Sequence, residues 1–295
     1  MLNFKGLLTA LVTPFTDNDK IDYDALEILL RGQVEAKIPG VVMLGSTGES
    51  FAISDAEYQE IIKFVVQNFS GKLKILVGAG TNNTHSSINK SRLAENLGAD
   101  GVLIVNPYYN KPPQEGLYKH FAAIAENIDI PIILYNIPGR TGVNLQTPTL
   151  LDLIKQHKNI IGIKESSSDL DQVMEVISHT KDNFMTLSGD DSLTYPIISL
   201  GGNGAISVIS NILPELTNRM VNLTLDHQFN PGRLLHYKML KLMNALISFG
   251  NNPIAIKTLL AYQNKIKENF RLPLCSLDSN KKEQLIKVFE DCYSG

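Results

Sequence analysis

Short apolar runs recur along the chain, with helical patterns between them. Eight runs, at 7–12, 41–44, 74–77, 101–105, 130–136, 160–164, 184–188 and 204–208, are nearly continuously apolar. That is the pattern of parallel strands covered on both faces. The intervening segments carry helix start signals. Asp22 precedes Leu26, Leu29, Leu30 and Val34 at helical spacing. Ser54-Asp55-Ala56-Glu57 has the form of a capping box. Thr84 is placed to cap a helix that ends before Gly98, and Leu117, Phe121, Ile124 and Ile128 make an apolar stripe. Thr147-Pro148 reads as an N-cap followed by proline at the first helical position, Ser168-Asp169 starts another helix, and Pro214 opens a further one. Eight strands alternating with helices predict an α/β fold, a (β/α)8 TIM barrel over residues 1–224. A doubly wound open sheet is the rival arrangement. Over 225–295 the strand rhythm stops. Leu234, Tyr237, Leu240, Leu242 and Met243, then Ile256, Leu259, Leu260 and Tyr262, predict a C-terminal helical extension of two or three helices.

Composition narrows the classes of function. The 295 residues are 43% hydrophobic, enough for one large core. A net charge of -3 removes the electrostatic case for nucleic acid or an anionic membrane as partner. No apolar stretch is long enough to span a bilayer. The run at 7–12 has no basic segment before it and leads into Thr13-Pro14-Phe15, so it reads as a strand and not as an export signal. Cys275 and Cys292 suggest neither a metal motif nor a disulfide framework, which points to a reduced, cytoplasmic setting. The histidines, His85, His120, His157 and His179 among them, fall mostly in helical segments and read as solvated, so no metal set is visible.

Candidate chemistry gathers where the apolar runs end. Lys164 closes the run Asn159-Ile160-Ile161-Gly162-Ile163-Lys164, at the carboxyl end of a strand, where parallel α/β folds keep their active groups. Apolar surroundings destabilise an ammonium, and neutral lysines form Schiff bases with carbonyl compounds. Paired with Glu165, the same residue would be a structural lysine. Tyr135 ends the preceding run, and neighbouring strands lie roughly 5 Å apart, so the two side chains meet if both face inward. Gly45-Ser46-Thr47-Gly48-Glu49-Ser50 offers the Ser46 and Thr47 hydroxyls and amides suited to a carboxylate; no GK[ST] follows, so it is not a nucleotide phosphate loop. In Asn106-Pro107-Tyr108-Tyr109-Asn110-Lys111-Pro112-Pro113, the two tyrosines cannot point the same way in an extended chain. Arg140, on Pro138-Gly139-Arg140-Thr141-Gly142, suits bidentate capture of a carboxylate. Gly189, in Ser188-Gly189-Asp190-Asp191, permits close backbone approach to a small ligand. Each group alone also fits an ordinary turn or a packed side chain. Together they place an amine, a phenol, hydroxyls and a guanidinium at the ends of different strands, which packing alone gives no reason to do. Iminium formation needs a proton relay, for which Tyr135 and Ser46 are suited, with a second phenol as outlet to solvent.

The motifs 45–50, 108–112, 135–142 and 162–165 resemble those of the dihydrodipicolinate synthase branch of the pyruvate-dependent class I aldolase family, which also includes N-acetylneuraminate lyase. The resemblance runs from Gly6 through Pro273. It implies a barrel with a C-terminal helical domain, no metal or organic cofactor, and condensation of pyruvate with aspartate semialdehyde in the diaminopimelate route to lysine. By resemblance Lys164 forms the Schiff base, Tyr135 moves the proton, and Ser46 holds the relay position that is usually threonine. Tyr109 matches a phenol donated across a dimer interface, within a homotetramer built as a dimer of dimers. Thr47 and the backbone at Ile206 match pyruvate-binding positions, with Gly189 nearby, and Arg140 matches the arginine that binds the semialdehyde carboxylate. Sialic acid lyases usually lack that arginine. Another pyruvate aldolase acting on a sugar acid, or a non-enzymatic barrel binding a keto acid, are the alternatives. Lysine-inhibited members commonly have histidines at the positions of Asp55 and Tyr58 and a glutamate at that of Ser86. Ser50, Asn82 and Tyr108 remain compatible with a feedback site. A missing glutamate removes a charge-assisted bond of roughly 1.5–3 kcal/mol, so weak or absent inhibition by lysine is expected.

Overall fold

A computed structural model describes residues 4–180 and 184–294. Eight strands close a parallel barrel in chain order: β1 (Gly6–Ala10), β2 (Gly40–Met43), β3 (Lys74–Gly78), β4 (Gly101–Val105), β5 (Ile132–Asn136), β6 (Ile160–Glu165), β7 (Met185–Ser188) and β8 (Gly204–Ser207). The helices around it are α1 (Tyr23–Glu35), α2 (Asp55–Phe69), α3 (Thr84–Asn96), α4 (Gln114–Ala125), the one-turn α5 (Pro138–Thr141), α6 (Thr147–Gln156), α7 (Leu170–His179), α8 (Thr194–Ser199) and α9 (Pro214–Leu225). Then come α10 (Phe229–Ser248), α11 (Ile254–Tyr262) and α12 (Ser279–Ser294). No described helix is long and apolar enough to cross a membrane.

Two apolar layers explain the near-continuous hydrophobicity of the strands. Leu8, Ala10, Val42, Leu76, Leu103, Ile133, Tyr135, Ile161, Met185, Leu187 and Ile206 fill the inside of the barrel. Leu7, Val41, Ile75, Val102, Leu134 and Ile163 face outward and pack with Leu26, Ile61 and Leu117 of the surrounding helices. A strand covered on both sides has no polar face to display. The predicted strand at 7–12 is longer than β1: beyond Ala10, the Val12 amide donates to the Asn211 side chain and no longer to a strand. The predicted run at 130–136 shortens to begin at Ile132, since Pro131 has no N–H to give a ladder.

Most helix signals hold. Asp22 caps α1 by accepting from the Ala25 amide, and Ser54 and Glu57 form the capping box of α2. Two caps shift by one residue. Asn83, not Thr84, caps α3, and the Thr84 hydroxyl turns to Nδ1 of His120 at 2.9 Å. Gln146 stands at the cap of α6, while the Thr147 hydroxyl donates to Glu175. His120 is also not solvated: it is buried on α4 against α3, its Nε2 has no partner among the described residues, and desolvation pulls its pKa down to about 4. His236 is likewise buried. In α10 the buried stripe runs through His236, Met239, Leu242, Met243 and Leu246, whereas Leu234 and Tyr237 are 70% and 64% exposed. A helix rich in apolar residues all round does not reveal which of them face the core.

Candidate active site

Lys164 and Tyr135 meet inside the barrel. They are register partners across β5 and β6, each 6% exposed, with the lysine Nζ 4.1 Å from the centre of the phenol ring. A bulge puts them there. Ile132 pairs with Ile160 but Ile133 pairs with Gly162, so β6 holds one extra residue at Ile161. Ile161 faces inward, and strict alternation from it would turn Lys164 outward. The extra residue reverses the phase, so that Ile163 packs outside and Lys164 faces the interior. Glu165 does not pair with the lysine. It accepts from the Asn136 side chain at 3.1 Å and from the Ser167 amide at 2.8 Å, and burial raises its pKa.

Above the pair lies a cavity of about 740 Å³ at the carboxyl ends of the strands. Ser46, Thr47, Ser50, Tyr108, Arg140 and Gly189 all line it with Lys164 and Tyr135. No hydrogen bond joins Ser46 to Tyr135 among the described residues, although both line the cavity. Gly189 is required by contact. A Cβ there would stand 2.0 Å from the Ser166 hydroxyl oxygen and 2.7 Å from Lys164 Cε. Ile206 is buried in the inner apolar layer below, and its neighbour Val208 reaches the cavity. Tyr108 lines the cavity, while Tyr109, held at φ 73°, points away and is 89% exposed. Asn82 is not among the residues that line the cavity; its carbonyl accepts from the Asn110 side chain at 2.9 Å.

Sequence reasoning missed the residues that hold this set from outside the barrel. Asn252, between α10 and α11, donates through Nδ2 to the Thr47 hydroxyl at 2.7 Å. Its carbonyl accepts from Arg140 at 3.0 Å. One residue therefore ties the loop after β2 to the loop after β5. Lys257 of α11 donates to Glu49 at 2.6 Å, and both side chains are 0% exposed. Glu49 sits in the left-handed region at φ 54°, directly after the turn that carries Ser46 and Thr47. Arg271 closes the same corner, with bonds to Glu57 and to the Ala52 carbonyl. Asn252 lies in the turn between α10 and α11 and Lys257 within α11, both without strand-end placement, so no local signal marked them.

The cavity brings together an inward amine against a phenol, two hydroxyls and a guanidinium, a set suited to condensing carbonyl compounds. A profile of the dihydrodipicolinate synthetase family matches residues 3–291. The 4-hydroxy-tetrahydrodipicolinate synthase of Endomicrobium trichonymphae is 44% identical over 288 residues, 98% of each chain. That of Methanocaldococcus jannaschii is 43% identical over 288 residues, also 98% of each. The dihydrodipicolinate synthase structure from Aquifex aeolicus superposes with a TM-score of 0.96 at 37% identity, covering 99% of this chain and 98% of that one.

Proposed function

The chain belongs to the dihydrodipicolinate synthetase family, and on that premise we propose that it condenses pyruvate with L-aspartate 4-semialdehyde, as a 4-hydroxy-tetrahydrodipicolinate synthase acting in lysine biosynthesis by the diaminopimelate route. The observation that carries the mechanism is the register pairing of Lys164 with Tyr135 inside the cavity. Lys164 Nζ attacks the pyruvate carbonyl carbon. The carbinolamine loses water to give the iminium, and loss of a methyl proton gives the enamine that attacks the aldehyde. Tyr135 and Ser46 carry the protons, Thr47 and the nearby backbone hold the pyruvate carboxylate, and Arg140 receives the carboxylate of the second substrate. The chemistry calls for no metal or organic cofactor, and the setting is cytoplasmic.

Assembly enters through Tyr109. Its phenol points away from its own cavity and is 89% exposed, which supports a role in a neighbour's site and hence at least a dimer, with a homotetramer as the full assembly. Feedback by lysine is proposed to be weak or absent. Ser50 and Tyr108 line the cavity, but so does Lys90, whose ammonium lies 4.3 Å from the Tyr58 ring centre and 3.5 Å from Asp55. A ligand ammonium arriving there would meet a charge of its own sign. Half-maximal inhibition at submillimolar lysine would refute this.

The test of function is borohydride reduction with pyruvate present, followed by peptide mass mapping and by turnover with a panel of aldehydes. A pyruvate adduct on Lys164 and preference for aspartate semialdehyde are expected. An adduct on another lysine would overturn the mechanism, and preference for a sugar aldehyde would overturn the assigned reaction.

A further inference from the structure

We propose that Glu165 is a positioning residue of this active site: acting through Asn136, it holds Lys164 and Tyr135 face to face. This role rests on the Schiff-base reading above. Two rows of side chains stand at the ends of β4, β5 and β6. Val105, Tyr135 and Lys164 pair in register and line the cavity. One residue further on, strand alternation turns Asn106, Asn136 and Glu165 to the outer side of the barrel wall. There they join side to side. Asn106 Nδ2 donates to Asn136 Oδ1 at 2.8 Å, and Asn136 Nδ2 donates to both oxygens of Glu165 at 3.1 Å. All three residues are at most 2% exposed.

A buried carboxylate without a counter-charge is costly, so its hydrogen bonds carry the weight. Glu165 forms no ion pair among the described residues. Three N–H groups meet it instead: Asn136 Nδ2, the Ser167 amide at 2.8 Å and Gln172 Nε2 at 3.3 Å. The directions of these bonds are set from outside. Asn136 Oδ1 also accepts from the Leu145 amide at 3.0 Å, so its nitrogen is left to face position 165. Position 165 must then accept from that nitrogen and from the Ser167 amide. An ionised carboxylate only accepts, and so meets both. Glutamine would set an NH2 group against one of the donors.

The lock falls where the sheet has most need of one. β6 carries its extra residue at Ile161, and that residue decides which side Lys164 faces. A slip of one residue would exchange the inner and outer sets and turn the lysine out of the barrel. The bond between Asn136 and Glu165 joins the two residues that directly follow Tyr135 and Lys164, so it fixes the register at their shoulder. The same network reaches the loop that bears Arg140. Asn106 Nδ2 donates to the Val143 carbonyl at 3.2 Å, and Asn136 Nδ2 donates to Asn144 Oδ1 at 2.7 Å. One carboxylate behind the wall thereby steadies the amine, the phenol and the guanidinium in front of it.

The experiment compares Glu165→Gln with the exchange Asn136→Asp/Glu165→Gln, which keeps both side-chain lengths and moves the carboxylate to the neighbouring strand. In the exchange the new carboxylate at position 136 accepts from Asn106 and Leu145, and the new amide at position 165 donates to it while accepting from Ser167. Asn144 and Gln172 turn their amides over to match. The readouts are kcat and the rate at which the borohydride-trapped pyruvate adduct forms on Lys164, at a temperature where circular dichroism shows each variant folded. Both rates should fall roughly tenfold to a hundredfold in the single variant, the scale of a small misplacement of reacting groups. The exchange should recover them to within about fivefold of wild type, a coupling that independent sites would not show. A lowered melting temperature with wild-type rates in the folded single variant would overturn the role, leaving Glu165 purely structural. An exchange variant that is unfolded, or no faster than the single one, would overturn it too. Should Glu165→Gln not fold, Gln172→Leu removes one donor from the half-buried edge of the network, and rates there within roughly threefold of wild type would be the overturning result. Failure of the wild-type protein to form an adduct would instead overturn the reading beneath.

Discussion

Lys164→Arg is expected to lower kcat by at least roughly a thousandfold, about 4 kcal/mol of barrier, and to abolish the borohydride-trapped adduct. Arginine keeps the length and the positive charge of the side chain and can still lie over the Tyr135 ring. It cannot form a Schiff base, because its guanidinium stays protonated and is not a nucleophile. The substitution thus separates covalent chemistry from electrostatics. If the amine served only as a cation that attracts a keto acid, arginine would retain most of the activity, and a kcat within tenfold of the parent would reject the covalent mechanism. Lys164→Met makes the complementary point about stability. Lys164 is buried with no carboxylate partner among the described residues, so an apolar side chain of similar volume should leave the fold at least as stable as it is now. Function held at the expense of stability is typical of an active site.

The opposite outcome is expected at Lys257. Lys257→Met should destabilise the protein by roughly 3–5 kcal/mol, because it leaves the buried Glu49 carboxylate without its counter-charge. Burial already pushes the Glu49 pKa up and the Lys257 pKa down, and each opposes the shift of the other. The ammonium also faces the Phe15 ring, 4.3 Å from its centre, a further contact that methionine cannot replace electrostatically. Pairing the substitution with Glu49→Gln removes the orphaned charge, so the double variant should recover part of the loss, and a double-mutant cycle in urea reads the coupling. A loss below about 1 kcal/mol in the single variant would show that the carboxylate finds other relief. Activity should fall as well, since Glu49 fixes the end of the turn that bears Ser46 and Thr47.

Whatever depends on strand ends was legible in the chain, because there position and chemistry coincide. Lys164, Tyr135, Ser46, Thr47, Arg140 and Gly189 all stand at or just after the carboxyl ends of apolar runs, and all of them border one cavity. What stayed hidden has a common cause. The bulge at Ile161 adds no polar residue and no break in the apolar run, so nothing in the composition shows that the side-chain phase reverses before Lys164. Asn252 and Lys257 act across more than 200 residues of sequence, and an asparagine in the turn Gly250-Asn251-Asn252-Pro253 or a lysine within a helix looks like surface. His120 has the sequence context of a solvated histidine for the same reason, although it is buried on α4 against α3.

The link from Asn252 to Thr47 and Arg140 bears on how such an enzyme can change over generations. The groups that would make and break bonds are rooted in the barrel, whereas Met243, Leu246, Ile247, Asn251 and Asn252 reach the cavity mouth from the chain that follows it. Drift in that short stretch alters the shape of the entrance and the posture of the arginine while the lysine and phenol stay untouched. A lineage can therefore explore new aldehydes through a handful of codons in that stretch and keep its reaction intact meanwhile.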